Sequence, residues 1–392
     1  MRVLLFTAHF GDGHRQVATA LRTAFEAEGV EVEEIDCMRN AHPKYARMNE
    51  ASFELATKYA PYIYGLSYTL TRTLNNDSWL WKLMSAGGQR TAEEAVVQFA
   101  PDAVLQLFPE HTLDHLYQTF ASSRLPAHIK RPLAGVVLTD FSVHSRWFCP
   151  NSDVYYIPHD SFLDEARKVV RSTETADFVV SGIPLRAQFG TEFAVAREDT
   201  QVVGSCHPAD RMSGHILVAT GGRGVFNGLK DVLTTLYDQR EGRDVVVMCG
   251  RNTAMLNLVS ELAVNRPGLK ALPFVENVAS WLRSAAFAVV KPGGVTVAEC
   301  LASGCPMLFY RPPLGQELDN AKWVTKFGAG RIATNLTELS SAARWLSQPE
   351  NGNSASASAL SLGQADAATL VVKDVIHRVT TRQLNPAKST VR

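Results

Sequence analysis

Between Phe287 and Asn320 the chain reads FAVVKPGGVTVAECLASGCPMLFYRPPLGQELDN, with glycines, a carboxylate and amides at spacings that suit a phosphorylated ligand. Gly293 and Gly294 stand between an apolar run, residues 288–290, and a segment of helical spacing over 295–303. A strand, a glycine turn and a helix start point free N–H groups and the positive end of a helix dipole at one place, which makes an anion site. Without a Cβ, the two glycines let a phosphate approach the backbone. Thr296 falls in the first turn of that helix and Glu299 in the second, where a carboxylate reaches the hydroxyls of a ribose beside the phosphates. Residues 307–310 form a second apolar strand, and the loop expected after it carries Gln316, Glu317 and Asn320. The competing reading is a plain β-α-β unit in which glycine only turns the chain.

A second chemical cluster lies near the start. Residues 2–8 (RVLLFTA) read as a buried strand, followed by the turn His9-Phe10-Gly11-Asp12-Gly13-His14 and a helix with Val17, Leu21 and Phe25 at intervals of four. This β-loop-α opening is that of a nucleotide-binding α/β fold, but the third glycine of a dinucleotide fingerprint is missing. A histidine at the end of a first-strand loop sits over the ligand edge of such a sheet, so His14 is a candidate base; a helix-start residue satisfying local backbone is the alternative. Asp140, just past the strand expected at 135–138, is the second candidate, against a role as a helix cap.

The remaining elements complete two α/β halves. The first has strands at 30–35, 103–108, 153–157 and 178–180. The second restarts at 215–219, where Thr220-Gly221-Gly222-Arg223-Gly224 precedes a helix from Leu229; Gly222 and Gly224 would give N–H groups to a diphosphate. Strand 245–248 ends in Cys249-Gly250-Arg251, where Arg251 is either a phosphate partner or a solvated loop residue. A short strand is expected at 272–275. The polar stretch 190–212 reads as a linker, 351–359 as a mobile Ser/Ala-rich loop, 366–379 as an amphipathic helix crossing back to the first half, and 382–392 as a frayed tail. The domains expected are thus 1–189, 213–365 and a returning segment 366–392.

The string K-P-G-G-V-T-V-A-E, then G-C-P, then G-Q-E-x-x-N resembles the donor-nucleotide signature of glycosyltransferase family 28. Within that family it is most similar to the diacylglycerol glycosyltransferases, and the run T-D-F-x-x-H-x-x-W at 139–147 and the segment G-I-P-x-R at 182–186 resemble them too. The resemblance spans nearly the whole chain and is strongest at 287–320 and 135–147; Leu314 departs from the proline common before G-Q-E. It implies a GT-B α/β fold of two Rossmann-like domains facing across a cleft. It further implies inverting transfer of a hexose from UDP-glucose or UDP-galactose to diacylglycerol. In that reading Phe274 and Val275 lie against the uracil, Gln316 and Glu317 meet sugar hydroxyls, and the loop with Gly13 and His14 faces the acceptor, as does His144. No Asp is followed two residues later by another, so there is no D-x-D metal clamp, and neither a metal nor another cofactor is expected. Another lipid-linked acceptor, a UDP-sugar epimerase and a non-catalytic UDP-sugar sensor remain as alternatives.

Composition sets limits on all of these. The 392 residues suit two α/β domains, and 39 basic against 39 acidic residues give no global field toward nucleic acid or anionic lipid. Locally, residues 39–90 carry seven Lys or Arg against three acids, with rings at Tyr62, Tyr64, Trp79 and Trp81. Basic residues mixed with aromatic rings suit a lipid headgroup layer, and the alternative is a helical insertion packed on the first sheet. The six cysteines lack a CxxC pair and read as free buried thiols in a reducing cytosol. With no apolar run near 18 residues, the expectation is a cytoplasmic protein peripheral to the membrane, compatible with a homodimer.

Overall fold

The structure, a computed structural model, describes residues 1–8, 13–44, 48, 61–75, 78–122, 124–126, 128–170, 176–190, 211, 213–221 and 228–384, without the side chains of 61–64 and 84. The chain divides into two compact units, Met1–Arg186 with Asp366–Arg392, and Ala187–Ala365. Each is built on a six-stranded sheet whose paired neighbours all run parallel.

In the first unit the strands are β1 (Arg2–Phe6), β2 (Glu31–Ile35), β3 (Ala103–Gln106), β4 (Leu133–Val137), β5 (Val154–Ile157) and β6 (Asp177–Val180), in spatial order β2-β1-β3-β4-β5-β6. Strands covered on both faces read as continuous apolar runs, and β3, β4 and β5 are buried along their whole length. Helix α1 (Gly13–Ala27) lays Val17, Leu21 and Phe25 on the sheet, the stripe its spacing foretells. After β1 the chain moves to one side, and from β3 onward to the other, so the sheet reverses direction between β1 and β3. Ligands of open α/β sheets bind outside the carboxyl ends of strands at such a reversal.

The second unit carries β7 (His215–Ala219), β8 (Val245–Met248), β9 (Leu269–Leu272), β10 (Ala285–Val290), β11 (Met307–Tyr310) and β12 (Gly330–Ala333), in order β12-β11-β10-β7-β8-β9. Its reversal falls between β7 and β10. Thr220 and Gly221 leave the first of those strands, and Lys291-Pro292-Gly293 leaves the second.

Four further helices carry candidate residues: α2 (Pro61–Thr71), α3 (Trp79–Ser85), α4 (Gly294–Ala302) and α5 (Gln316–Lys326). Two more close the chain, α6 (Pro349–Leu362) and α7 (Ala367–Leu384). Several expectations need correction here. Gln316, Glu317 and Asn320 belong to α5 rather than to a loop, because Gly315, at φ 97° and ψ −147°, turns the chain directly into a helix. The Ser/Ala-rich stretch 351–359 is helical within α6. Its buried Gly352, Ala355, Ser356, Ala359 and Leu362 have helical spacing, and Ser356 donates to the Gly304 carbonyl at 2.8 Å. Small residues there allow close approach, not mobility. The strand expected at 272–275 is β9, ending at Leu272, with Pro273 and Phe274 beyond it.

Helix α7 belongs to the first unit. It buries Val371, Val372, Val375 and Val379 and is latched by polar contacts. Tyr156 donates to Asp374 at 2.8 Å, Arg378 pairs with Asp177 at 2.6 Å and Arg382 with Asp153 at 2.6 Å. Nearly all of the stretch read as a linker, 191–210 and 212, lies outside the described residues.

Candidate functional site

Each unit places candidate residues at its own sheet reversal. In the second unit, Gly293 caps α4 in extended geometry, with φ −68° and ψ 143°, and supplies no side-chain cap to the first N–H groups of the helix. A Cβ built on Gly293 would meet nothing within 4 Å, so the space before this helix start is open. Thr296 is half-buried, and Glu299 is buried one turn further along the same face. The loop is held from behind: Asn320, fully buried on α5, donates through Nδ2 to the Pro292 carbonyl at 3.0 Å. Asn320 therefore shapes the anion loop by fastening its backbone.

Gln316 and Glu317 occupy the first turn of α5, half-buried. Glu317 accepts an ion pair from Lys291, Nζ to Oε1 at 2.9 Å, while its Oε2 is buried without a hydrogen-bond partner. Arg251 is exposed after β8, its guanidinium 4.6 Å from the ring centroid of Phe274, itself 46% exposed. The two make a cation–π platform at the carboxyl ends of β8 and β9, with half-buried Val275 following in the chain. Gly222 and Gly224 lie outside the described residues. Thr220, before them, is buried and donates to the Met248 carbonyl at 2.8 Å.

In the first unit, Gly13 and His14 open α1 beside the reversal between β1 and β3. Nδ1 of His14 lies 2.9 Å from the Leu107 carbonyl, at the end of β3, and 3.3 Å from Oγ1 of Thr139, after β4. A carbonyl only accepts, so Nδ1 carries the proton and Nε2 keeps the lone pair. The ring meets Phe108 edge-on at 5.1 Å and Trp147 at 6.3 Å. Burial pushes the His14 pKa down to about 4, against the upward pull of the Leu107 carbonyl. The sequence alone gives an ordinary imidazole; the apolar wall makes it a weaker base, neutral throughout the physiological range. Asp140 is half-buried just beyond Thr139.

His144 departs from its expected place facing the acceptor. It is 7% exposed, its Nδ1 accepts from the Arg146 N–H at 3.1 Å, and its Nε2 lies 3.2 Å from Oγ1 of Thr71. Both nitrogens are engaged, so this histidine fastens the 139–147 loop to the end of α2. Ser145 caps the same helix end, its N–H on the Arg72 carbonyl at 3.0 Å and its hydroxyl on Thr71 at 3.1 Å. Burial and the Arg146 charge push the His144 pKa down to about 4.

The aromatic segment divides. Trp81 is 2% exposed and packs near His111 and His144, so its ring belongs to the interior. Trp79 is 72% exposed, and Leu83, one turn on, is exposed with it; on α2, Leu66 and Leu70 repeat that pattern. Side chains of Tyr62 and Tyr64 lie outside the described residues. Of the cysteines, Cys37, Cys149, Cys249, Cys300 and Cys305 are free and buried, and Cys206 lies outside the described residues. Among the described residues no helix is long and apolar enough to cross a membrane.

Sequence reasoning did not single out Lys291, Leu107 or Trp147 as site residues. Lys291 was open to discovery as the first charged residue after a buried strand at a reversal. The Leu107 carbonyl was not, since nothing in the sequence distinguishes it.

Two parallel sheets of this order define a GT-B glycosyltransferase fold. Solved structures agree: MurG of Acinetobacter baumannii superposes with a TM-score of 0.58 at 16% identity, over 96% of this chain and 99% of that one. The calicheamicin glycosyltransferase CalG4 gives 0.56 at 15%, over 96% and 98%. Residues 14–185 match the family model described as monogalactosyldiacylglycerol (MGDG) synthase. The processive diacylglycerol beta-glucosyltransferase of Bacillus subtilis (strain 168) is 27% identical over 352 residues, 86% of this chain and 85% of its own. That of Staphylococcus carnosus (strain TM300) is 26% identical over 354 residues, 89% and 85%.

Proposed function

We propose that the protein moves a hexose from a UDP-sugar to the free hydroxyl of diacylglycerol at a membrane surface, with inversion and without a metal ion. The observation that carries the donor half is the open, uncapped start of α4 before Gly293, at a sheet reversal, with Glu299 on the following turn. Helix N–H groups take the diphosphate and Glu299 the ribose; Gln316 and Glu317 take sugar hydroxyls, and Phe274 with Val275 borders the uracil.

In the reaction, the bond between the anomeric carbon and the β-phosphate oxygen breaks and its electron pair leaves with UDP. The acceptor oxygen forms the new bond, and its proton passes to Nε2 of His14. A base with a pKa of about 4 suits a late transfer, after the attacking oxygen has acquired positive character and become strongly acidic. Asp140 is the alternative base. Stabilisation of the leaving diphosphate falls to backbone N–H groups and side-chain cations. The exposed pairs Leu66/Leu70 and Trp79/Leu83, with Lys82 between the latter two, support seating of α2 and α3 in the headgroup layer of the inner membrane face.

The test combines purified protein, vesicles containing dioleoylglycerol, and UDP-glucose or UDP-galactose, with UDP and lipid products identified. UDP release that depends on diacylglycerol and yields hexosyl-diacylglycerol is expected, unchanged by EDTA. An epimerised UDP-sugar, or binding without turnover on any lipid acceptor, would instead establish an epimerase or a sensor.

A further inference from the structure

The Lys291–Glu317 pair stands at the reversal of the second sheet, yet it has no evident structural purpose. Its Lys side chain is 53% exposed, so the pair contributes little to stability. Lys291 follows β10 directly and lies two residues before Gly293, whose open face is the helix start. Glu317 comes from a different element, the first turn of α5, and one of its oxygens is buried without a partner. A carboxylate with one oxygen on a half-exposed cation and the other unpaired is incompletely satisfied, and burying an unpaired acceptor is unfavourable. A ligand bearing phosphate and hydroxyl groups would relieve both.

Resting on the donor reading above, we infer that Lys291 is a further catalytic residue. Its ammonium leaves Glu317 for the diphosphate when donor binds, and the released Glu317 carboxylate accepts a hydroxyl of the hexose. The exchange keeps a cation ready at the helix start without leaving it unpaired in the empty site. As the glycosidic bond breaks, the electron pair passes to the β-phosphate oxygen, and the ammonium lies against the charge that develops there. Competition by Glu317 also opposes binding of UDP alone, which brings no hexose hydroxyl to the released carboxylate, so free UDP is held less tightly than it would be without Glu317.

Calorimetric titration of uridine, UDP and UDP-glucose into wild type, Lys291→Met, Lys291→Arg and Glu317→Gln tests this. Lys291→Met is expected to lose about tenfold to a hundredfold in UDP affinity, the loss of one charge-assisted contact, with uridine affinity within about twofold and an unchanged thermal melt. Lys291→Arg recovers most of the UDP affinity. Glu317→Gln binds UDP at least as tightly as wild type but binds UDP-glucose more weakly, two changes of opposite sign that a merely structural pair would not produce. Equal UDP affinity in wild type and Lys291→Met overturns the inference, as does a parallel loss of uridine and UDP. A Glu317→Gln variant that weakens UDP as Lys291→Met does reduces the pair to scaffolding. Wild type that binds neither uridine nor UDP overturns the donor reading itself and this inference with it.

Discussion

The two units solve the same topological problem with opposite chemistry. At the reversal between β7 and β10, the second unit offers an open helix start, a glycine with empty space before it, and an exposed Lys held by a Glu. At the reversal between β1 and β3, the first unit offers a neutral imidazole walled by Phe108 and Trp147, with one nitrogen fixed on a carbonyl. In the proposed reaction the site of the second unit holds negative charge and that of the first takes up the proton of the acceptor. The parallel-sheet frame supplies only the place; residue type at the loop decides what is done there.

The largest expected effect concerns the first unit. His14→Ala should lower turnover by about 10²- to 10⁴-fold, the usual contribution of a general base, measured as diacylglycerol-dependent UDP release. Near-normal turnover in His14→Ala, with loss in Asp140→Asn, would move the base to Asp140. Because the His14 pKa is lowered to about 4, the acid limb of the rate profile should fall near that value instead of near 6.5.

Next is the ribose contact proposed for the second unit. Glu299→Ala removes a buried carboxylate and should weaken UDP binding about tenfold or more, read by calorimetry, with uridine weakened alongside. That parallel loss separates Glu299 from Lys291, whose removal should spare uridine.

The units should also differ in acid. In the first, His14, His111 and His144 are held neutral by burial at pKa values of about 4, 3 and 4; in the second, His215 is held at about 4. Each folded-state value lies below the unfolded one, so the unfolded chain binds more protons between roughly pH 4 and 6.5. The stability these groups confer is full above that window and is lost as pH falls through it. Glu110, pushed up to about 7 by burial, acts oppositely, adding stability as pH falls below 7, and so offsets only part of the loss in the first unit. Hydrogen exchange at pH 7 and pH 5 should show the first unit losing protection sooner; equal loss would remove this asymmetry.

The exposed helices give the smallest effect on the folded protein. Leu66→Ser with Trp79→Ser should weaken flotation with vesicles while leaving the melt and UDP affinity unchanged, since both side chains face solvent. Trp81→Ser, in contrast, should cost about 3–5 kcal/mol, the range for truncating a buried ring.

Much of this division was legible in the residues. Strand β7, spelled His-Ile-Leu-Val-Ala, and the glycine turn before α4 were read where they stand, because a buried parallel strand and a helix start each have a local signature. The Ser and Ala content of α6 suggests a loop, whereas the spacing of its small residues follows a helix face. Trp79 and Trp81 are inseparable by composition; only the turn of α3 decides which ring is buried. His144 and Asn320 lie in the right motifs, but their partners, Thr71 and the Pro292 carbonyl, come from remote segments that spacing cannot reveal.

The division of labour itself is tested most directly by one calorimetric comparison of UDP binding in wild type, Gly293→Ala and His14→Ala. At φ −68° and with nothing within 4 Å of a new Cβ, Gly293→Ala should fold normally yet obstruct the phosphate, weakening UDP about tenfold or more. His14→Ala should bind UDP within about twofold of wild type if the two sites are independent, with no shared partner to couple them. Unchanged binding in Gly293→Ala, or a loss in His14→Ala as large as that expected for Gly293→Ala, would contradict the account.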